Sequence, residues 1–348
     1  MSHIHGIQHI GVAVSDMERT LPLYRQWFGM NIPFFDSIQA APLMTVFTRK
    51  EVITKRASMV MNLRGGSAME VIEPTSFEPA PLPTDFMLGD IGIFAVHMRM
   101  SEPIKARQQL HSKTACTELQ QDPLGAARFL TQDPDGLFFF GVEDPQTFTK
   151  TTACLGGISG LSIGVSNIAS AKAFYANLGF DQVLYEGSGC YEDLHGFPGG
   201  DQFVERAILG TKAMATGPFG AVIGFSKIEL LAVPHRKAQK IFRGRIWGDT
   251  GFVHLGLDVF DMVVLQQKLL ANRIDMKCDS QAALNMGKTS VHCAYICDPD
   301  GVLIELIEVY KIPLIEKWGL FLNVHGKRVG RHLPKWIIQL LRFSRIKD

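Results

Sequence analysis

A single carboxylate interrupts an apolar stretch near the end of the chain, and it is the first residue that could do chemistry. Glu305 lies at the centre of GVLIELIEV, residues 301–309. A buried, unpaired carboxylate costs several kcal/mol, so an apolar strand keeps one only where a cation or an ion pair compensates its charge. A divalent metal does this well, and neutral imidazoles on a facing strand complete its shell. Glu308 falls on the opposite face, where we expect solvent.

The elements that would position such residues repeat along the chain. Four segments each combine a short strand, a polar helix cap and an amphipathic helix. They are HIGVAVSDMERTLPLYRQWFGM (9–30), FAVHMRMSEPIKARQQL (94–110), GLSIGVSNIASAKAFYANLGF (160–180) and HLGLDVFDMVVLQQKLLANRI (254–274). The side chain of a cap satisfies amides that the first helical turn leaves unpaired. The predicted caps are Asp16, Ser101, Asn167 and Asp261.

Further strand-like stretches follow each helix, and in the second and fourth units the last one follows a DPDG turn, at 133–136 and 298–301. This organisation predicts an α+β fold of four βαβββ units that start near residues 7, 91, 158 and 251. Units one and two form an N-terminal half, 1–150, and units three and four form a C-terminal half, 151–310. A curved four-stranded sheet cannot bury its apolar face alone, so the units must pair.

The pattern resembles the vicinal oxygen chelate superfamily, which includes glyoxalase I, methylmalonyl-CoA epimerase, extradiol dioxygenases and the bleomycin resistance proteins. Its most specific elements are HIGVAVSD, HLGLDVFD and DPDGVLIELIE, and the resemblance covers about residues 7 to 310. The resemblance implies that the paired units curve into two cups of mixed sheet. It also implies that a divalent metal lies inside a cup.

In that superfamily the metal ligands come from the first and last strands of each unit. Counting back seven residues from each cap gives His9, Phe94, Gly160 and His254, and the matching last-strand positions are Glu70, Phe140, Glu229 and Glu305. The resemblance therefore implies a metal centre of His9, Glu70, His254 and Glu305. His97 lies three residues from Phe94, so we expect it on the other face. Glu229 could be a relic, could pair with an Arg or Lys, or, under the extradiol pairing of units, would share a cup with His254 and Glu305.

The pairing of the units decides which residues share a cup. In glyoxalases with four units on one chain, the first unit pairs with the fourth, which unites the two His and the two Glu. In extradiol dioxygenases the third and fourth units pair, and Gly160 would then stand where a ligand His belongs. We expect the first pairing, because it leaves fewer polar groups unexplained. The resemblance implies that His254 and Glu305 are ligands under either pairing of the units.

The resemblance implies a metal-dependent lyase or isomerase of the glyoxalase and epimerase type. Such an enzyme abstracts a proton next to a carbonyl while a divalent metal stabilises the enediolate. Glu70 and Glu305 are the candidate bases. The shell accommodates Zn, Ni, Co, Mn or Fe(II). Two alternatives stay open: a ring-cleaving Fe(II) dioxygenase of the extradiol type, and a non-catalytic small-molecule binding protein of the same fold.

Composition limits the partners and the location. The 348 residues are 46% hydrophobic with a net charge of +1, so nucleic acid has no electrostatic basis and we expect a small-molecule substrate. The start, MSHIHGIQHIG, lacks the features of a secretory signal, and no apolar run approaches the roughly 20 residues of a membrane span. Six scattered cysteines without a CxxC pair suit reduced thiols. We therefore expect a cytoplasmic protein.

Two segments lie outside this plan. Residues 185–221 are glycine-rich and are interpreted as an insertion in the third unit, either a lid, a binding loop or a surface excursion, from which Tyr191, His195 and Arg206 could reach substrate. Residues 311–348 carry nine Lys or Arg against two acids and end in a basic amphipathic pattern, LPKWIIQLLRFSRI. This tail could pack on its own domain, on a second subunit of a homodimer, over a lipophilic substrate entrance or on an anionic membrane surface.

Overall fold

The computed structural model describes residues 3–151, 153–281, 283–286, 289–315, 320–324 and 331–346. The first half contains two of the predicted units, each beginning with a long strand and a helix. Unit one consists of β1 (Ile4–Ala13), α1 (Met17–Phe28), β2 (Ile32–Ala40), β3 (Thr54–Met61) and β4 (Ala68–Pro74). Unit two consists of β5 (Gly92–Met100), α2 (Pro103–His111), β6 (Gln120–Gln121), β7 (Ala127–Gln132) and β8 (Phe138–Glu143).

The second half repeats this order. Unit three consists of β9 (Leu155–Gly164), α3 (Ile168–Asn177), β10 (Gln182–Gly189), β11 (Val204–Gly210), the short helix α4 (Gly220–Ile223) and β12 (Lys227–Ala232). Unit four consists of β13 (Gly251–Val259), α5 (Met262–Ala271), β14 (Cys278–Asp279), β15 (Leu284–Met286), β16 (Thr289–Cys297) and β17 (Leu303–Ile315). The chain continues into β18 (Leu320–Asn323) and α6 (Lys335–Gln339).

The units pair as expected, the first with the fourth and the second with the third. In the described residues the first sheet has the order β14-β16-β17-β13-β1-β4-β3-β2, with β15 on β16 and β18 on β17. The second sheet has the order β10-β11-β12-β9-β5-β8-β7-β6. At the centre of each, two first strands run antiparallel, β1 beside β13 and β5 beside β9, and each pairs in parallel with the last strand of its own unit. The predicted fold of two curved mixed sheets is confirmed.

The last strand of each unit is buried on both faces, which explains why its sequence is mostly apolar and does not alternate with polar residues. In β17, Ile304 and Leu306 join a core that α1, α3 and α5 share with both sheets. Leu303 and Ile307 point the other way, into a separate cluster inside the first sheet. Because side chains alternate along a strand, Glu305 points inward with that second set.

The predicted insertion at 185–221 is wrong for much of its length. It contains all of β11 and the greater part of β10, which are the regular second and third strands of unit three. β10 is an edge strand with many exposed side chains, and it contains Gly187 and Gly189, so its sequence lacks the apolar alternation that marks a strand. The connection between these strands folds into the second sheet, where Leu194 and Phe197 are buried.

The second helix begins one residue later than predicted, and this shifts the position transferred from it. Glu102, not Ser101, precedes α2, and its side chain makes no capping bond. The parallel register of β5 and β8 places His97 beside Phe140, as it places Gly11 of β1 beside Glu70. The true counterpart of His9 is therefore Ala95 and not Phe94. Since His97 is two residues from Ala95, it shares the inward face, contrary to expectation.

The C-terminal segment packs on the first sheet. Leu333, Ile338 and Leu341 are buried in the cluster inside this sheet, whereas Trp336 and Phe343 are exposed. α6 has five residues, and residues 340–344 continue it as a 3-10 helix. Parts of the predicted tail, 316–319, 325–330 and 347–348, lie outside the described residues. No helix in the described part of the chain is long and apolar enough to cross a membrane.

Two buried tyrosines connect helices to the DPDG turns. Tyr24 of α1 donates to Asp133 at 2.7 Å, and Tyr175 of α3 donates to Asp298 at 3.1 Å. Each carboxylate also accepts two backbone N–H groups of its own turn. Burial raises the pKa of both carboxyl groups to about 6, although these hydrogen bonds lower it. The folded protein therefore binds these protons more tightly than the unfolded chain does.

We predict that Asp298→Asn removes part of the pH dependence of stability. Since the folded pKa of Asp298 is about 6 against an ordinary value of 3.8, its stabilising contribution is full below pH 4 and is lost as the pH rises through 6. The wild type should therefore lose up to roughly 3 kcal/mol relative to Asp298→Asn between these pH values. Urea unfolding at a series of pH values measures this difference.

A matched variant tests the cause. Tyr175→Phe removes a hydrogen bond that lowers the pKa of Asp298, so the same loss should extend to higher pH. Parallel stability curves for the wild type and Asp298→Asn would contradict the assignment.

Candidate metal centre

Four side chains from four strands converge at the centre of the first sheet. His9 lies on β1, Glu70 on β4, His254 on β13 and Glu305 on β17. Each residue offers one ligand atom, and the four atoms lie within 4.8 Å of one another. All four side chains are at most 2% exposed. The structure thus brings together the four residues that the sequence selected, while their role as metal ligands stays a prediction.

The separations match those of ligands around one ion. His9 Nε2 lies 3.0 Å from His254 Nε2, 3.2 Å from Glu305 Oε2 and 3.7 Å from Glu70 Oε2. His254 Nε2 lies 3.3 Å from Glu70 Oε2 and 3.4 Å from Glu305 Oε2. Ligands about 2.1 Å from a metal are separated by about 3.0 Å at octahedral and about 3.4 Å at tetrahedral angles. The residues therefore fit a divalent ion.

Further side chains orient the four. His9 Nδ1 donates to Gln8 Oε1 at 3.2 Å, so the lone pair on Nε2 faces the other three residues. Lys55 Nζ donates to Glu70 Oε1 at 3.1 Å, and Tyr295 OH donates to Glu305 Oε1. In each carboxylate, Oε1 thus accepts a hydrogen bond that fixes the group, and Oε2 points toward the histidines. Outer partners of this kind fix the orientation of metal ligands.

The charges around the carboxylates lower their pKa values. Burial raises the pKa of Glu70, but Lys55 and then His254 outweigh it and hold that pKa well below its ordinary range. Burial likewise raises the pKa of Glu305, but the His9 hydrogen bond and the His254 charge outweigh burial and hold that pKa below its ordinary value. Both groups are therefore ionised at neutral pH. Among the described residues that touch these carboxylates, Lys55 is the one fixed cation.

Two glycines make room for the imidazoles. A Cβ at Gly11 would lie 2.3 Å from the His254 ring, and a Cβ at Gly256 would lie 2.3 Å from the His9 ring. These residues face each other across the β1–β13 ladder, where Gly11 pairs with His254 and His9 pairs with Gly256. The His-x-Gly spacing in both strands is therefore required for the two rings to meet.

The equivalent place in the second sheet is filled by a buried ion network. Glu229 accepts from Arg206 at 2.7 Å, from Arg128 at 3.3 Å and from Ser162 at 2.5 Å. Arg206 also donates two hydrogen bonds to Asp193, at 2.9 and 2.8 Å. Burial raises the pKa of Glu229, but Arg128 and Arg206 hold it well below its ordinary range. The expected ion pair of Glu229 is present.

The other polar residues singled out in this region belong to the same network or to the surface. His97 lies 2.7 Å from Ser162 and 3.6 Å from Glu229, and burial lowers its pKa. Tyr191 covers the Arg206 guanidinium at 4.8 Å, and His195 is exposed. Tyr191 and Arg206 therefore support the second sheet and do not extend to the cluster of histidines and glutamates.

The residues that hold the two carboxylates were missed by sequence reasoning. Lys55 shares the inward face of β3 with Ala57, Met59 and Met61, which are all buried. A lysine in register with three buried apolar residues indicates a buried ammonium group, but lysines at strand ends lie at the surface much more often. Tyr295 follows the apolar alternation of β16 and gives no separate signal. Glu308 is also buried, not solvated, and accepts N–H groups of Asp261 and Met262 at the start of α5.

The same architecture occurs in solved structures. Glyoxalase I from Zea mays matches with a TM-score of 0.55 and 17% identity, over 87% of this chain and 92% of that one. A candidate dioxygenase from Bacillus subtilis matches with a TM-score of 0.55 and 13% identity, over 88% of this chain and 86% of that one. No family model and no curated protein matches the sequence. The structural likeness shows the vicinal oxygen chelate fold.

We predict that Arg206→Met destabilises the protein by roughly 3 to 5 kcal/mol, because it leaves Asp193 and Glu229 buried with less compensation. Arg243→Met changes an exposed arginine and should leave stability within about 0.5 kcal/mol of the wild type. Urea unfolding checks both values. A small effect of Arg206→Met would mean that solvent reaches the network.

Proposed function

We propose that this chain is a metal-dependent enzyme of the glyoxalase and epimerase type, a lyase or isomerase that removes a proton next to a carbonyl. The main support is a set of five distances: one of 3.0 Å between the two imidazole Nε2 atoms, and four of 3.2 to 3.7 Å between these nitrogens and carboxylate oxygens. We propose His9, Glu70, His254 and Glu305 as ligands of one divalent ion, which is Zn, Ni, Co, Mn or Fe(II).

A divalent ion bound there would polarise a carbonyl and stabilise the negative charge that develops as the neighbouring C–H loses its proton. The protein supplies the proton acceptor. Glu70 is held by the charged Lys55, whereas Glu305 is held by the neutral phenol of Tyr295. A carboxylate without a charged partner is the better base, and Glu305, like Glu70, lines the cavity beside the cluster. We therefore propose Glu305 as the base and Glu70 as a fixed ligand.

A ring-cleaving Fe(II) dioxygenase is the second candidate. Because Lys55 partly neutralises Glu70, the remaining ligands His9, His254 and Glu305 form a set of two histidines and one carboxylate, which suits non-haem Fe(II) oxygenases. The candidate dioxygenase with the same fold is consistent with this alternative. Oxygen uptake with catechols by protein loaded anaerobically with Fe(II) would support it.

The first prediction concerns metal content. Purified wild type should carry or take up about one divalent metal per chain, and His254→Ala should bind much less. Gly256→Ala adds a methyl group 2.3 Å from the His9 ring, so it should displace that ring and weaken metal affinity by roughly tenfold to 100-fold although all four ligand residues are kept. Elemental analysis and isothermal titration with Zn(II) or Ni(II) measure these effects.

Gly189→Ala is the matched control. Its new Cβ has no heavy atom within 4 Å, so metal binding should equal that of the wild type. Circular dichroism establishes that the variants fold. A folded wild type that takes up no metal would remove this proposal and leave a non-catalytic binding protein.

The second prediction concerns the reaction. Metal-loaded wild type in D₂O should exchange the hydrogen next to the carbonyl in at least one member of a panel of 2-oxoaldehydes and 2-hydroxyketones. Glu305→Gln should slow this exchange by about 100-fold or more while the protein keeps some bound metal, because the amide cannot accept the proton. Proton NMR follows the exchange. Equal rates for Glu305→Gln and the wild type would exclude Glu305 as the base.

A further inference from the structure

An apolar cavity of about 90 Å³ lies beside the cluster. His9, Glu70 and Glu305 line one side of it. The remaining wall comes mainly from apolar side chains of β2, β3, β16, β17 and the segment 219–223 that contains α4, and includes Phe34, Phe35, Met59, Met61, Phe219 and Val222. A ligand that reached the four candidate metal ligands would therefore bury its other end among aromatic and aliphatic groups.

The charges on this cavity exclude an anionic ligand body. Glu70, Glu305 and Asp258 line it, and the described lining contains no Lys or Arg. Lys55 donates to Glu70 and is not part of the lining. With a metal bound, Glu70 and Glu305 are compensated, but a phosphate or a free carboxylate away from the metal would still enter a low-dielectric space that offers it no Lys or Arg and contains the carboxylate of Asp258. Ligands with charged bodies, such as nucleotides and acidic peptides, are disfavoured.

The cavity wall is held in place by backbone contacts. Gly66 N donates to Val222 O at 2.8 Å, and Leu333 N donates to Pro218 O at 2.9 Å. The ring of Phe219 lies edge-on to Phe34, with centroids 5.8 Å apart. These contacts join the 218–223 segment to unit one on one side and to the C-terminal segment on the other. The cavity is therefore formed before a ligand binds.

We propose that this cavity selects a ligand with an oxygen-bearing head group and an uncharged, lipophilic body. The inference rests on the proposed metal centre for the head group and on the cavity for the body. A short alkyl group fits directly into this volume, which is smaller than the roughly 150 Å³ of an apolar cavity that binds benzene. Met59 and Met61 are flexible side chains that can adapt to somewhat longer groups.

Alkyl hydroxamates test this inference, since the hydroxamate head chelates metals and the tail can be varied. Isothermal titration of Zn(II)-loaded protein with the C2, C4, C6 and C8 compounds should show affinity rising up to about fourfold per methylene and then levelling as the cavity fills. Tails that end in a carboxylate or an ammonium group should bind more weakly than the alkyl tail of equal length. Phe219→Ala should move the plateau to a longer tail.

Phe225→Ala is the control, because this nearby side chain is exposed and absent from the cavity lining. It should leave the plateau unchanged. Tight binding of the C2 compound with no gain from longer tails, or a preference for a charged tail, would overturn the inference and leave the metal centre intact. Protein that takes up no Zn(II) but still shows the chain-length gain would support the lipophilic cavity and reject the proposed enzyme.

Discussion

Two ionised carboxylates, Glu70 and Glu305, are buried against two imidazoles, and the centre of the first sheet depends on how their charge is compensated. The ammonium group of Lys55 forms an ion pair with Glu70 and so compensates one of the two negative charges. One negative charge remains, and an uncompensated carboxylate at this depth costs several kcal/mol. Either a proton on a histidine or a bound cation must balance it. Because His9 turns a lone pair toward the carboxylates, a cation satisfies more of the converging atoms than one proton does.

The second sheet shows the other solution to the same constraint. Glu229 occupies the position that Glu305 has in the first sheet, beside the first strand of its own unit. Arg128 and Arg206 face Asp193 and Glu229, so the buried charges balance without any added ion. Asp193 comes from the β10–β11 connection, which also fills the second sheet with apolar groups. The two sheets therefore differ in the source of the charge that balances their buried carboxylates.

The resemblance to glyoxalases implied the pairing of the units, and the four cluster residues could be located because the spacing between strand and helix cap is constant in units one and four. The same counting failed in unit two, where an uncapped helix start at Glu102 displaced the count by one residue and put His97 on the wrong face. Lys55 and Tyr295 could not be assigned, since their contacts with Glu70 and Glu305 depend on the ladders of the assembled sheet. β10 was not predicted, because it is an edge strand whose many exposed side chains and two glycines do not give the apolar alternation of a strand.

Anomalous X-ray diffraction from crystals loaded with Zn(II) or Ni(II) shows whether the four side chains of the first sheet hold a metal. We predict one strong peak bounded by Nε2 of His9 and His254 and by Oε2 of Glu70 and Glu305, about 2.1 Å from each ligand atom, and no peak among Arg128, Arg206 and Glu229. An empty first sheet, with a proton shared between the imidazoles and the carboxylates at atomic resolution, would contradict it.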